Sequence, residues 1–217
     1  DRLGGKDPYS ASKACAELIS KVYMESFFKE SGPNIATTRA GNVIGGGDWA
    51  SDRVVPDCVR AWSEGKPVVI RNPNATRPWQ HVLEPLSGYL ALGQKLFQGD
   101  ARVKNQALNF GPQTQVNQSV SELINAMTRF WPNAESNLQQ ETNSEKLEST
   151  LLKLNCDKAL QILGWKAILN FEETVRITGE WYQKFYEHGP SSISKTTSGQ
   201  IKKYSEKATQ SNLPWTQ

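Results

Sequence analysis

The sequence predicts an α/β fold, and three observations lead to that prediction. Short runs rich in β-branched residues alternate with longer amphipathic runs of helical periodicity. Glycine- and proline-containing segments separate the runs, as is typical of turns. Helix start signals stand before several of the amphipathic runs. Strands and helices that alternate in this way form a sheet with helices on its faces, where ligands bind at the carboxyl ends of the strands.

The first half of the chain supplies these elements in order. Asp7 can cap a helix whose first residue is Pro8, and apolar residues recur at helical spacing up to about Lys29. The run "NIATTRAGNVIGGG" then reads as one buried strand that opens into a glycine loop. After it we predict a helix in "VVPDCVRAWSEG", a strand in "KPVVIRNP", an extended piece in "RPWQHV" and a helix in "EPLSGYLALGQKLF".

The second half continues the alternation with the strand candidate "QALNFGP" and a helix that begins near Ser119. Ser119 and Glu122 have the spacing of a capping box, as do Asn170 and Glu173 before the helical run "FEETVRITGEWYQKFYEH". Between them lie the polar stretch "NSEKLEST" and a short helical run in "CDKALQILGW". From Gly189 onward the chain is rich in Ser, Thr, Lys and Gln, so we expect a loosely attached tail.

Composition excludes several classes of protein. The 217 residues, 37% of them hydrophobic, suffice for one good-sized core or for one core with an appendage. A net charge of +3, spread over interspersed acids and bases, predicts neither a nucleic-acid partner nor a membrane surface. Three widely spaced cysteines and two histidines argue against a disulfide framework and a zinc site, and favour a reducing cytoplasm.

Tyr9 and Lys13 stand four residues apart, which places both side chains on one face of the first helix. A phenol is a weak base at neutral pH, but a neighbouring ammonium favours the phenolate, which can accept a proton from an alcohol. The spacing also arises by chance, with both as ordinary surface residues. Spacing alone therefore leaves both interpretations open.

The wider context resembles the extended short-chain dehydrogenase/reductase family of nucleotide-sugar enzymes. In that family Tyr-xxx-Lys begins a long helix, and the next strand ends in Arg-xx-Asn, which Arg39 and Asn42 match here. The segments "RAGNVIGGGDWASDR", "VVIRNPNATRPWQHVLEPLSGYL" and "LNFGP" extend the resemblance from Leu3 to about Trp181 and are most similar to members that act on CDP-glucose. The resemblance implies the C-terminal part of a Rossmann-type doubly wound sheet plus a small α/β substrate-binding domain.

The resemblance also implies NAD as cofactor and CDP-glucose as substrate, in a 4,6-dehydration that serves deoxysugar and lipopolysaccharide biosynthesis. Tyr9 would take the C4 hydroxyl proton while hydride passes internally through bound NAD, and Lys13 would also hold the nicotinamide ribose. The implied cofactor contacts are Tyr9, Lys13, Ala40 and Val43. The implied substrate contacts are Asn42, Arg53, Val68, Ile70, Arg77 and Asn109.

The glycine loop contains a second motif, because "GGGDWA" satisfies the Gly-x-Gly-x-x-Ala dinucleotide fingerprint. We reject that interpretation, since Asp48 and Asp52 would lie beside a pyrophosphate and the next strand ends in Arg71 rather than in the acid that binds the ribose. We expect instead that the glycines let the backbone approach the substrate.

Arginines and aromatic residues near this loop allow more than one interpretation. Arg39, Arg53, Arg71 and Arg77 are close in sequence and suit phosphate recognition, although each can also form a surface ion pair. The pair Trp79 and His81 is interpreted more simply, as core and structural residues respectively. A role in the site is the less favoured alternative for both residues.

We expect the chain to be the C-terminal part of a longer enzyme. The family's glycine-rich NAD turn and its acid/base residue precede the Tyr-xxx-Lys helix, and neither is in this sequence. We therefore predict that these 217 residues alone neither bind NAD tightly nor turn over substrate. The predicted domains are 1–44, the end of the NAD-binding domain; 45–188, mainly the substrate domain with segments returning to the Rossmann sheet; and 189–217, a polar tail.

Two further questions stay open at the level of sequence. Family members commonly form homodimers through the Tyr-bearing helix, and the face around Leu18, Val22 and Phe27 fits either a homodimer or a core. Another nucleotide-sugar dehydratase or a 4-epimerase of the same family would share these motifs. A non-catalytic domain that binds sugar nucleotides is the alternative from a different class.

Overall fold

The computed structural model of the protein describes residues 3–4, 7–29, 31–70, 72–113, 117–131, 134, 136–137 and 154–217. Within them the helices are α1 (Pro8–Ser26), α2 (Val54–Ser63), α3 (Leu83–Phe97), α4 (Val120–Met127), α5 (Asp157–Leu163), α6 (Phe171–His188) and α7 (Pro190–Gln210). The strands are β1 (Thr37–Ala40), β2 (Val43–Ile44), β3 (Val68–Val69), β4 (Thr76–Arg77), β5 (Gln80–His81), β6 (Ala107–Phe110), β7 (Gln118–Ser119) and β8 (Ser136–Asn137). The predicted polar stretch at 143–150 and Arg71 lie outside the described residues.

The strands pair mainly in parallel. β1 pairs with β6, β2 with β5 and β3 with β8, all in parallel, whereas β4 and β7 are antiparallel. Helices α2, α3 and α4 separate groups of strands along the chain, and the predicted α/β class is confirmed. Because the carboxyl ends of parallel strands meet at one edge, residues that follow β1 and β6 lie close together there.

The run predicted as one strand forms two. β1 pairs with β6 and β2 pairs with β5, so the chain changes partner between them. The N–H of Gly41 donates to the carbonyl of Phe110 at 3.4 Å, and the carbonyl of Asn42 accepts from the N–H of Gln80 at 3.0 Å. A continuous β-branched pattern cannot reveal such a change of partner, because both strands have the same local preference.

The helix caps that the sequence predicts are present in the structure. Asp7 caps α1 by accepting the N–H of Ser10 at 2.9 Å. Both predicted capping boxes form: Ser119 with Glu122 opens α4, and Asn170 with Glu173 opens α6. Each cap satisfies backbone N–H groups that the helix itself leaves without partners.

The described residues bury two clusters of apolar side chains. One lies among β2, α2, β3, α4 and α6 and includes Trp62, Trp79 and Trp181. The other lies around β6, α3 and α5 and includes Phe110 and Trp165. Nothing in these clusters fixes a boundary at residue 44 or 188, so the domain limits stay a prediction.

The expectation of a loosely attached tail is wrong. Residues 190–210 form α7, in which Tyr204 and Ala208 are buried, and Leu213 beyond it is buried as well. The Tyr204 hydroxyl donates to Glu84 Oε2 at 2.8 Å and lies 3.0 Å from Ser87 Oγ in α3. A narrow apolar stripe within a polar sequence suffices to anchor a helix, and average composition hides that stripe.

Among the described helices, none combines the length and hydropathy that a membrane crossing requires. All three cysteines are free thiols, with Cys15 exposed and Cys58 buried. Burial raises the pKa of the Cys58 thiol to about 12, which keeps it protonated and unreactive at neutral pH.

Candidate active site

Three of the predicted catalytic and cofactor-binding residues line one groove between α1 and β1. Tyr9 and Lys13 come from the first turns of α1, and Ala40 is the last residue of β1. The groove encloses about 680 Å³ and is open to solvent. Tyr9 is 71% exposed, so its phenol is accessible to a bound molecule.

The Tyr9 and Lys13 side chains are in contact, as their spacing predicts. The Nζ atom of Lys13 lies 5.6 Å from the centroid of the Tyr9 ring, within cation–π range. The contact brings an ammonium and a phenol together at the groove, and a phenol oxygen there can exchange a proton with the hydroxyl of a bound molecule.

Arg39 does not project freely toward a ligand. Its Nε donates to Glu17 Oε1 at 2.7 Å and its Nη2 donates to Glu17 Oε2 at 3.0 Å. Of the two possibilities left open by the sequence, the ion pair is therefore the one the structure adopts. Glu17 is one further turn along the face that carries Tyr9 and Lys13, and its spacing could have revealed it as a groove residue.

The glycine loop after β2 packs against protein rather than opening toward a ligand. A Cβ at Gly46 would lie 2.0 Å from the Trp181 ring, and a Cβ at Gly45 would lie 2.8 Å from Val82. Gly47 has a φ of +87°, which L side chains rarely adopt. The expectation that these glycines admit the substrate is therefore wrong for Gly45 and Gly46, whose space is filled by side chains.

The same packing removes the dinucleotide fingerprint from consideration. In that fingerprint the glycines lead directly into a helix whose N-terminus holds the pyrophosphate. Here α2 begins only at Val54, after the loop, and the Trp181 ring covers Gly46.

Residues that sequence analysis missed fix the shape of this loop. Trp49 contacts an aromatic cluster on α6, with its centroid 4.9 Å from Phe185 and 5.3 Å from Tyr182. The Tyr182 hydroxyl donates to the Asp48 carbonyl at 2.6 Å, and burial raises the pKa of Tyr182, which keeps that donor protonated. Arg60 Nη1 donates to the Trp49 carbonyl at 2.8 Å. The recurring aromatic residues of α6 were the only sequence signal for this cluster.

Arg53 and Asn42 flank the loop. Arg53 is exposed and directly precedes α2, so its guanidinium is accessible to solvent. Asn42 is half-buried, and its backbone carbonyl accepts the N–H of Gln80. Val43 is half-buried in β2 opposite Gln80 and does not line the α1 groove.

The side chains of Val68 and Ile70, which the resemblance implies as substrate contacts, are buried. Both are 6% exposed and belong to the hydrophobic core, so only their backbone could meet a ligand. Val69 between them is 59% exposed and is the side chain that points outward from this segment.

Arg77 and Asn109 are held by backbone contacts. Arg77 lies in β4 opposite Gln118, and its Nη1 donates to the Thr76 carbonyl at 2.9 Å. Asn109 lies in β6, where its Nδ2 donates to the Asn155 carbonyl at 2.9 Å; within the described part of the chain, its buried Oδ1 has no hydrogen-bond partner.

Trp79 and His81 have the structural roles that the sequence favoured. Trp79 is 5% exposed and its Nε1 donates to the Gln118 carbonyl at 3.0 Å. His81 Nδ1 accepts the N–H of Leu83 at 3.3 Å, and burial lowers the pKa of His81 to about 4. The imidazole is therefore neutral at neutral pH.

Known protein families supply an independent comparison. The family described as GDP-mannose 4,6 dehydratase matches residues 1–178. CDP-glucose 4,6-dehydratase of Salmonella typhimurium is 42% identical over 186 residues, which are 83% of this chain and 51% of that protein. The dTDP-D-glucose 4,6-dehydratase of Mus musculus is 23% identical over 183 residues, 84% of this chain and 49% of that protein. The chain thus spans about half the length of these two relatives.

Solved structures show the same fold. A dTDP-glucose 4,6-dehydratase from Bacillus anthracis in complex with NAD has a TM-score of 0.68 and 21% identity, over 86% of this chain and 55% of that chain. A UDP-glucuronic acid 4-epimerase from Bacillus cereus, solved with UDP-glucuronic acid and NAD, has a TM-score of 0.68 and 17% identity over 83% and 54% of the two chains. At these identities the likeness concerns the fold, which is the Rossmann-like fold of nucleotide-sugar dehydratases and epimerases.

Proposed function

The chain belongs to the GDP-mannose 4,6 dehydratase family, and from that membership we propose that it carries the proton-transfer residues of an NAD-dependent nucleotide-sugar 4,6-dehydratase. The observation that carries the proposal is the groove where Tyr9, Lys13 and Ala40 meet at the carboxyl end of β1. A Tyr-Lys pair on a helix, facing the end of a parallel strand, suits the deprotonation of a sugar hydroxyl.

CDP-glucose is the proposed substrate. The support is the 42% identity to a protein named for that activity, which extends over most of this chain. The proposed substrate contacts are those implied by resemblance, with exposed Arg53 as the phosphate ligand that the structure leaves most accessible. A place in lipopolysaccharide biosynthesis and in the cytoplasm stays a prediction of the sequence.

NAD fits the groove chemically. Its lining includes the Lys13 ammonium, the Tyr9 phenol and the Ser10 hydroxyl, which together can donate to ribose hydroxyls, and Ala40 leaves room at the strand end. When bound, NAD would accept a hydride from the sugar and return it. Lys13 would hold the ribose, and Tyr9 would take the C4 hydroxyl proton, which leaves a C4 ketone.

The test is product analysis with Tyr9→Phe and Lys13→Met variants of the complete gene product, including any sequence encoded upstream of Asp1. With the parent protein, we expect CDP-glucose to lose one water and its product to show a C6 methyl signal by NMR. Tyr9→Phe should lower kcat about 100-fold or more while CDP-glucose binding persists, because the phenyl ring keeps the shape but removes the proton acceptor.

Other results would select other functions. A product of unchanged mass would indicate a 4-epimerase, and ligand binding without turnover in the parent would indicate a binding domain. The 217-residue chain alone should neither bind NAD tightly nor form product, because it holds no glycine-rich strand turn for NAD. Full activity of this chain alone would contradict that expectation.

We further propose a homodimer through α1. Its outer face exposes several large apolar side chains that the described residues leave uncovered: Leu18, Ile19, Val22, Tyr23 and Phe27. A patch of this kind on a helix is typical of a protein interface.

A further inference from the structure

The helix that carries Tyr9 and Lys13 is joined to the sheet by few contacts. Within the described part of the chain, the only residues of α1 that are buried are Ala14 and Met24. In that part of the chain, the Glu17 carboxylate accepts all of the hydrogen bonds between α1 and the strands.

That carboxylate receives three donors from two residues of β1. Arg39 donates Nε to Oε1 at 2.7 Å and Nη2 to Oε2 at 3.0 Å, and Thr37 donates Oγ1 to Oε2 at 3.0 Å. Thr37 and Arg39 alternate along the strand and therefore share a face. The two parallel bonds of the guanidinium fix the orientation of the carboxylate as well as its distance.

The bridge is partly shielded from water and stays ionised. The side chains of Arg39 and Glu17 are 39% and 17% exposed. The hydrogen bonds from Arg39 hold the pKa of the Glu17 carboxyl below its usual range. An ion pair with two fixed bonds in this environment is better placed to constrain geometry than a fully exposed pair.

The position of the bridge relates it to the groove. Tyr9, Lys13 and Glu17 follow at four-residue steps along one face of α1, so the bridge lies about 6 Å along the axis from Lys13. Arg39 immediately precedes Ala40, which lines the same groove. A rotation of the helix by one residue position, about 100°, would turn Tyr9 and Lys13 away from Ala40.

We propose that Glu17 is a positioning residue, whose bridge to Arg39 and Thr37 sets the rotation of α1 and so aims Tyr9 and Lys13 at the end of β1. The inference rests on the proposed function of Tyr9 and Lys13. Glu17 itself does not contact substrate in this scheme. It acts through the orientation of the helix.

The bridge is tested first on the 217-residue chain, by hydrogen exchange of backbone amides measured by mass spectrometry. Glu17→Gln should make α1 exchange about tenfold faster while β6 and α6 are unchanged, because it removes the charge and one acceptor from the junction. Arg39→Lys keeps the charge but loses the two-pronged geometry, so it should also loosen α1. Glu180→Gln, which breaks the Arg176–Glu180 pair on α6, is the matched control and should leave α1 unchanged.

Two exchange results would overturn the bridge: unchanged exchange in α1 of Glu17→Gln, and an equal increase in every element. An Arg39→Lys variant that behaves like the parent would overturn the part of the proposal in which the two parallel bonds set the rotation of α1, because charge alone would then suffice.

The second measurement separates positioning from stability, in the complete gene product. Glu17→Gln should lower kcat about tenfold with KM for CDP-glucose changed less than twofold, because misaimed proton-transfer groups leave substrate binding intact. A loosened α1 with unchanged kcat would refute positioning while the proposed function stands. If Tyr9→Phe keeps full activity, the proposed function fails, and the positioning role fails with it even if the exchange data support the bridge.

Discussion

Replacement of Gly46 by alanine tests the finding that the glycine loop is shaped by protein packing. The new Cβ would lie 2.0 Å from the Trp181 ring, about 1.4 Å closer than the 3.4 Å at which ordinary contact begins. The ring is not free to move aside, since it is 7% exposed and stacks on Phe185 with centroids 5.8 Å apart. Its Nε1 also donates to Thr197 Oγ1 at 2.9 Å.

The expected cost combines overpacking with a weakened hydrogen bond. Overpacking a close-packed core costs about 1 to 3 kcal/mol, and a lost hydrogen bond costs about 1 kcal/mol. We therefore expect Gly46→Ala to lower the free energy of unfolding by about 2 to 4 kcal/mol, or Tm by roughly 5 to 12 °C in a chain of this size. Urea unfolding followed by far-UV circular dichroism measures it without relying on Trp181 fluorescence.

A second glycine-to-alanine replacement serves as the control, with an expected effect of opposite sign on the free energy of unfolding. Gly93 lies in the exposed face of α3, and no heavy atom of the other described segments lies within 4 Å of its would-be Cβ. Gly93→Ala should stabilise the protein by up to about 1 kcal/mol through helix propensity. A Gly46→Ala variant that unfolds within about 0.5 kcal/mol of the parent would refute the packing argument, as would a Gly46→Ala/Trp181→Leu pair whose effects simply add.

The remaining predictions concern the C-terminal helix, pH and assembly. Tyr204→Phe should cost about 1 to 3 kcal/mol in urea unfolding, because the buried Glu84 carboxylate loses a donor; Tyr186→Phe, at an exposed ring, should be neutral. The pKa of Glu17 is lowered in the folded protein, so the bridge should be intact above the ordinary glutamate range and weaken as pH falls through the folded pKa. Amide exchange in α1, corrected for intrinsic rates, should therefore become faster as pH falls. If Glu17→Gln shows the same pH dependence as the parent, the assignment to Glu17 is contradicted. Val22→Asp should shift a dimer toward monomer in sedimentation velocity, whereas an unchanged sedimentation coefficient would place the interface elsewhere.

Sequence patterns predicted the features that depend on neighbouring residues. Asp7, Ser119 and Asn170 cap their helices because a cap needs only a side chain and the next turn of backbone. Tyr9 and Lys13 meet for the same reason, since helical spacing alone brings them together.

The features that the sequence did not predict depend on contacts between distant segments. The side chain that fills the space beside Gly46 belongs to α6, and no local rule connects the two. The anchoring of α7 depends on Glu84, a buried acid whose partners lie at the other end of the chain. Arg39 illustrates a third limit, because composition cannot tell a phosphate ligand from an ion pair until its neighbour Glu17 is placed.

The packing of the glycine loop bears on how Arg53 could serve a ligand. The loop is held by the Tyr182 hydroxyl at Asp48 and by Arg60 at the Trp49 carbonyl. It ends at Asp52, whose φ of +60° is unusual for a residue with a side chain and persists only where the surroundings enforce it. A guanidinium that follows such a constrained turn loses less freedom on binding a phosphate than one on a mobile loop. If Arg53 binds the phosphate as proposed, the aromatic residues of α6 would contribute to sugar-nucleotide affinity by fixing the place from which Arg53 reaches the phosphate.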